Sequence, residues 1–162
     1  MEKVEHSKLG RWRQQLLYDA ERVMETAYNP YSGFYVGAAL LGTNGETYTG
    51  SNVENAAYGS TICAERAALM NANAHDVRIF KALAIIARGA DFDTQEVSAS
   101  CGSCRQMLYE AAQLGEGDLE IILSTTKKDK IVITSIRELL PIAFGPLDLG
   151  VDVSRFQTKK AE

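Results

Sequence analysis

Residues 81–88, KALAIIAR, form a continuous apolar run with a basic residue at each end. The run is too short to cross a membrane and shows no alternation, so it reads as a strand buried on both faces. Such a strand needs a packed layer on each side. Helical patterning brackets it, at ICAERAALMNANAH (62–75) and at CGSCRQMLYEAAQLG (101–115), the latter closed by Gly115. This constrains the chain to a layered α/β architecture.

The other segments fill out the layers. KLGRWRQQLLYDAERVMETA (8–27) spaces Leu9, Trp12, Leu16, Leu17, Val23 and Met24 at helical intervals, with Ser7 as the expected N-cap. NPYSG (29–33) ends that helix. FYVGAALLG (34–42) and TYTGSNV (47–53) read as strands joined by TNGE (43–46), whose Asn-Gly pair is a strong hairpin signal. ENAAYGST (54–61) and GADFDTQEVSAS (89–100) read as loops. LEIILST (119–125) and KIVIT (130–134) are short strands, and Ser135 is placed to cap a short helix, IRELL, before Pro141. The order predicts a three-layer α/β/α domain with a mixed five-stranded sheet and right-handed crossovers. One domain is expected over 1–162, with its core at about residues 10–149 and a loose polar tail at 150–162.

The chain has 162 residues, enough to bury a core without staples. Its net charge is −4 and its pI about 5.3, which disfavours a nucleic-acid partner. No apolar run reaches the length of a membrane span, and MEKVEHSKLGRWRQQL at the N-terminus lacks the apolar centre of a signal peptide. The expected location is cytoplasmic, with no membrane partner. Three cysteines is an odd count in a compartment where disulfides are rare, so a disulfide framework is not expected.

SASCGSCRQM (98–107) places Cys101 and Cys104 three apart at the start of a predicted helix. Residues at that spacing share one side of a helix, so both sulfurs can face one point. A helix N-terminus also lowers a thiol pKa and favours the thiolate. The pair by itself admits three readings: a redox dithiol, half of a four-ligand structural zinc site, or two ligands of a three-ligand catalytic zinc site. Cys63 also opens a predicted helix. Alone it reads as a small buried hydrophobe. Three cysteines at helix starts, on two helices flanking one strand, weaken that reading. A fourth protein ligand is hard to find, since His6 lies in the polar N-terminus and His75 stands about 18 Å along the helix from Cys63. A metal on Cys63, Cys101 and Cys104 would keep one position open.

An open position supplies activated water, and hydrolysis then needs a proton shuttle. Glu65 lies two residues after Cys63. By itself it would be a glutamate favouring the helix dipole; beside a zinc ligand it is the candidate general acid/base. Residues two apart splay on a continuous helix, so Cys63 is expected at or before the cap. Zinc with three thiolates is net negative, which raises the pKa of bound water unless positive groups offset it. The helix N-termini help. Arg66 and Arg105 follow the ligands and are candidates to donate hydrogen bonds to sulfur, against the plainer reading of solvated surface charges.

CAE (63–65) followed by CGSCRQ (101–106) resembles the zinc-dependent nucleoside and nucleobase deaminases, whose three-cysteine form carries a glutamate that is not a ligand. NPYSGFYVGAAL (29–40), GSNVENAAY (50–58), ICAERAAL (62–69) and ELLPIAFGPLDL (138–149) extend the resemblance over about residues 10–149. Together the motifs are similar to cytidine deaminases of the small homotetrameric type. The resemblance implies a cytidine deaminase-like fold, one zinc ion per chain, and hydrolysis of cytidine and deoxycytidine to the uridines with release of ammonia. It implies attack of water at C4 of the base, with Glu65 protonating N3 and later passing a proton to the leaving amine. The Ala64 backbone N–H would hold the base carbonyl, and the Ala99 carbonyl would accept from the exocyclic amine. Asn52 and Glu54 would bind ribose hydroxyls. A carboxylate there is a poor neighbour for phosphate, which fits a nucleoside rather than a nucleotide. Phe34 would pack on base or sugar, and Phe144 would reach the active site of a neighbouring subunit. Outside these motifs both phenylalanines read as ordinary core aromatics.

The chain also departs from the pattern. Ser100 stands where these enzymes usually carry proline. Proline fixes φ and restricts the residue before it, so Ser100 predicts a less rigid wall and tolerance of N4-substituted cytidines. Ser51 and Ala57 stand where the family often has cysteine, at positions that are not ligands. The alternative substrate is a modified cytosine nucleoside or a cytosine-bearing antibiotic, as in blasticidin S deaminases; Asn52, Glu54 and Asn55 favour a ribose reader instead. A catalytically inert zinc-binding module is the reading from another class, and Glu65 argues against it.

Overall fold

The structure is a computed structural model and describes residues 1–157. The strands are β1 (Glu2–Lys3), β2 (Phe34–Gly42), β3 (Thr47–Ser51), β4 (Phe80–Gly89), β5 (Glu120–Thr125) and β6 (Ile131–Ser135). The α-helices are α1 (Arg11–Met24), α2 (Ala64–Ala74), α3 (Gly102–Leu114) and the short α4 (Ile136–Leu139). The sheet order is β1-β6-β5-β4-β2-β3. β4 and β5 pair in parallel, and the other neighbours pair antiparallel.

Among the described residues the sheet therefore has six strands, one more than expected. The added strand is β1, which pairs Glu2 with Ile133 and Lys3 with Val132. Two exposed polar residues carry no alternation, so no pattern marks them as a strand. The N-cap of α1 also differs from expectation. Gly10 takes that place, while Ser7 sits in a 3-10 turn at His6–Lys8. Leu9, 5% exposed, is buried between turn and helix, and Gln14 Nε2 donates to the carbonyls of His6 and Leu9 at 3.1 Å each. Ser135 caps α4 as expected, accepting from Glu138 N.

Alternation along β4 sorts the core into two layers. Ala82, Ala84 and Ile86 pack with Leu16, Leu17, Ala20 and Met24 of α1. Leu83 and Ile85 pack on the opposite face with Ala64 and Ala68 of α2 and with Leu108 and Ala112 of α3. Both faces of the strand are thus covered, which explains its continuous apolar sequence. Each large apolar side chain buried here contributes roughly 1.5–3 kcal/mol. A bidentate pair from Arg13 Nε and Nη2 to Glu120, at 2.8 and 2.7 Å, ties α1 to β5 across the layer edge.

The topology also decides where the helices begin. β3 and β4 are each antiparallel to β2, so they run the same way and end at one edge of the sheet. α2 follows β3 and α3 follows β4, so both helices start above that edge. The beginning of β2 is there too, because Phe34 pairs with Gly89. Residues 150–157, expected to be loose, are tied back at two points: Arg78 Nη1 donates to the Phe156 carbonyl at 3.1 Å, and Gln157 Nε2 to the Leu114 carbonyl at 2.8 Å. The rest of the tail, 158–162, lies outside the described residues.

Gly50 in β3 sets the depth of α2. A methyl group there would lie 2.4 Å from Ala68 N and 2.7 Å from the Ala64 carbonyl oxygen, which only a shift of backbone can relieve. Gly50→Ala is expected to lower stability by about 1–3 kcal/mol in urea unfolding. Gly59→Ala is the control, since nothing lies within 4 Å of an added methyl, and it should change stability by less than about 0.5 kcal/mol.

Candidate active site

The starts of α2 and α3 bring the three cysteines together. Cys63 is the N-cap of α2, with extended backbone at φ −71° and ψ 154°. Cys101 is the N-cap of α3, at φ −67° and ψ 164°. Cys104 lies one turn in and is fully buried. The extended caps turn two sulfurs off the helix axes and toward each other. Cys63 Sγ lies 3.9 Å from Cys101 Sγ, and Cys101 Sγ lies 3.5 Å from Cys104 Sγ. All three sulfurs fall within 4.8 Å of one another. The cap position of Cys63 also removes the splay that a continuous helix would impose on Cys63 and Glu65.

The thiols share protons unequally. A hydrogen bond from Cys104, with Arg66 and Cys101 assisting against desolvation, brings the Cys63 pKa down to about 5. The Cys104 thiol is pushed up by that same hydrogen bond and by burial. Arg66 Nη2 donates to Cys63 Sγ at 3.7 Å and to the Thr61 carbonyl at 2.8 Å. Arg105 does not take the partner expected of it. Its Nε donates to the Ser100 carbonyl at 2.8 Å and its Nη1 to the Leu139 carbonyl at 2.9 Å. A planar guanidinium suits two such carbonyls, and from the outer side of α3 it braces the loop before Cys101.

Glu65 is 4% exposed, in the first turn of α2. Burial raises its pKa above the ordinary value, its own backbone N–H opposes, and the Cys63 thiolate adds to the rise. A buried carboxyl whose pKa is raised is better suited to deliver a proton and take one back.

A cleft of about 310 Å³ opens onto this group. It is lined by Phe34, Asn52, Glu54, Ala64, Ala99 and Cys101, together with Ser32, Thr61 and Ser98. Ala64 is the first residue of α2, where helical bonding makes no use of the backbone N–H. Glu54 Oε2 accepts from the backbone N–H groups of Tyr31, at 2.9 Å, and Ser32, at 3.2 Å. The Ser32 hydroxyl and these N–H groups hold its pKa below the ordinary value. Asn52 is 8% exposed and committed to backbone, its Oδ1 accepting from Val36 N and its Nδ2 donating to the Phe34 carbonyl, both at 2.9 Å. Phe144 is not among the residues lining this cleft.

Residues 10–114 match the family model for the cytidine and deoxycytidylate deaminase zinc-binding region. The chain belongs to this deaminase family. A cytidine deaminase of Sporosarcina psychrophila is 43% identical over 137 residues, covering 85% of this chain and 94% of the relative. One from Halalkalibacterium halodurans is 42% identical over 138 residues, covering 85% and 98%. The crystal structure of cytidine deaminase from Burkholderia pseudomallei superposes with a TM-score of 0.72 at 40% identity, covering 84% of this chain and all of that one.

The deaminase cluster fits zinc on its own geometry. Tetrahedral thiolates with Zn–S near 2.3 Å stand about 3.8 Å apart, beside observed separations of 3.5 and 3.9 Å. Thiolate sulfur is a donor that selects zinc over hard cations. No fourth histidine, cysteine or carboxylate joins the cluster among the described residues, which is the ligand count of a catalytic site. His75 is exposed, with Nδ1 2.8 Å from the Asn71 carbonyl.

Three deaminase cleft residues escaped the sequence reading: Ser32, Thr61 and Ser98. Two of them act across the chain, Ser32 on Glu54 and Thr61 through its carbonyl on Arg66, and Ser98 lines the cleft. Metal analysis should find Cys104→Ser well below one zinc per chain. Arg66→Gln should keep the metal and lose about 10–100-fold in affinity by chelator competition, the usual cost of removing a group that orients a ligand.

Proposed function

We propose that this chain hydrolyses cytidine and deoxycytidine to uridine and deoxyuridine, releasing ammonia. The observation that carries this reading is the placement of buried Glu65 beside three converging sulfurs, at the floor of a cleft whose mouth carries an ionised Glu54. Cys63, Cys101 and Cys104 would hold zinc, which when bound supplies an activated water at the base carbon.

The rest falls to the chain. Glu65 takes one proton from the water and gives it to N3 of the base, then takes the remaining proton from the hydroxyl added at the base carbon and delivers it to the departing amine as the C–N bond breaks. Burial supports this role, since it raises the carboxyl's pKa above the ordinary carboxylate range and so brings it closer to that of a proton shuttle. The Ala64 N–H donates to the base carbonyl. The free Oε1 of Glu54 accepts from a ribose hydroxyl while Oε2 stays on Tyr31 and Ser32. Asn52 shapes the sugar site by holding the start of β2, and one Nδ2 hydrogen beyond its bond to Phe34 is available to a hydroxyl. Phe34 offers a ring to base or sugar, and the Ala99 carbonyl takes the exocyclic amine. In this reading residues 1–162 form one catalytic domain with its core at about residues 10–149.

A homotetramer belongs to the same proposal. Phe144 is 59% exposed and Ile142 fully exposed, and an apolar groove of about 580 Å³ follows α2 and α3 past Met70 and Met107. Apolar surface of this extent supports contact between subunits. Phe144 would then serve a neighbouring cleft. A cytoplasmic location is part of the same proposal, and no described helix is long and apolar enough to cross a membrane.

Tolerance of N4-substituted cytidines is also part of the proposal, limited by the Arg105 brace on the Ser100 carbonyl. N4-methylcytidine should be turned over measurably, and Ser100→Pro should suppress it relative to cytidine. The central test follows cytidine by ultraviolet absorbance. The zinc-loaded protein should convert it to uridine, and a chelator should stop the reaction. Glu65→Gln should keep zinc and lose about 10²–10⁴ in kcat. Full activity in Glu65→Gln, or zinc-loaded protein inert toward every cytosine nucleoside, would overturn the reading.

A further inference from the structure

Cys101 and Cys104 open α3 together, one as its N-cap and the other as its third residue. Their sulfurs lie 3.5 Å apart, closer than the 3.9 Å between Cys101 and Cys63. The backbone around the pair is fixed. Arg105 N donates to the Cys101 carbonyl at 3.0 Å, and Arg105 Nε donates to the Ser100 carbonyl at 2.8 Å. A disulfide needs its sulfurs at about 2.05 Å. For Cys101 and Cys104 that approach asks only for side-chain rotation within one helical turn. Cys63 begins a different helix, whose depth Gly50 sets and whose first sulfur Arg66 holds, so joining it to Cys101 requires a helix to move.

Access differs between the two sulfurs. Cys101 is exposed, as are Gly102 and Ser103 beside it, and Cys104 is fully buried. A small oxidant arriving from solvent meets Cys101 first and finds Cys104 within reach behind it. An oxidised thiol with a second thiol beside it condenses to a disulfide, which halts oxidation at a reversible stage. A transient disulfide of this kind is the sort that a reducing compartment permits.

We propose that Cys101 and Cys104 form a site of reversible oxidation by a hydroperoxide, and that closing their disulfide releases zinc. The inference rests on the zinc reading of the same cluster. The Cys101 sulfur attacks a peroxide oxygen and the O–O bond breaks, leaving a sulfenic acid on Cys101. The Cys104 sulfur then attacks the Cys101 sulfur, and the S–O bond breaks as hydroxide departs. Two thiolates lose two electrons and the peroxide gains them. With hydrogen peroxide, both oxygens leave as water after taking two protons from solvent. A disulfide sulfur no longer offers an anionic donor, and Cys63 by itself falls short of the three ligands that hold the ion.

The test treats the natural zinc-loaded chain with a small excess of hydrogen peroxide. Free thiols should fall from three to one per chain. About one zinc per chain should appear in solution by a chromogenic chelator. The tryptic peptide 89–105, which carries both Cys101 and Cys104, should lose the mass of two hydrogens, while Cys63 stays open to alkylation. A thiol reductant with added zinc should restore all three thiols and the bound metal. A disulfide that includes Cys63, stable addition of oxygen to Cys101, or zinc retained after the Cys101–Cys104 bond has closed overturns the proposal and leaves the deaminase reading intact. A natural chain that takes up no zinc before oxidation overturns both.

Discussion

Three sulfur atoms within 4.8 Å of one another cannot all carry charge without a cation between them. The thiols differ in how readily they give up a proton, Cys63 being lowered toward thiolate and Cys104 raised toward thiol. Arg66 and the first turns of α2 and α3 supply positive potential, but these are spread around the cluster rather than placed inside it. A divalent ion among the sulfurs offsets most of the repulsion and leaves the remaining negative charge to Arg66 and the helix N-termini. The fold serves this arrangement. β3 and β4 must run the same way for two helices to begin at one edge, and Gly50 must lack a side chain for α2 to sit low enough on the sheet.

Much of this was legible in the sequence because it is local. The apolar continuity of residues 81–88 announced a strand covered on both sides, and the spacing of Cys101 and Cys104 announced two sulfurs on one helical face. The need for Cys63 to lie at a cap followed from helix geometry alone, and the structure has it there. Strand β1 was not legible, since two polar residues hold their place only through pairing with β6. The start of α1 was misplaced because serine is a good cap in isolation, whereas burial of Leu9 decides where the helix begins.

Arg105 and Asn52 show a subtler limit. Position beside a metal ligand made Arg105 a candidate donor to sulfur, yet on α3 it faces the carbonyls of Ser100 and Leu139. Asn52 stands in a motif that implies sugar contact, yet much of its amide is spent on the backbone of β2. In both cases the residue type was right for the site, and its partner depended on chain segments far apart in sequence. Pattern alone gives the donor or acceptor; only the fold gives the other half of the bond.

The same two anchors bear on how the cleft receives a ligand. The Asn52 amide spans the first residues of β2, and the Glu54 carboxylate spans the loop before it, so the mouth is ordered by bonds within the chain itself. Ordering a loop at the moment of association subtracts conformational entropy from affinity. Here that entropy is lost when the chain folds. The cleft is a preorganised receptor, in which recognition draws on contact and desolvation and capture does not wait on the closing of this rim.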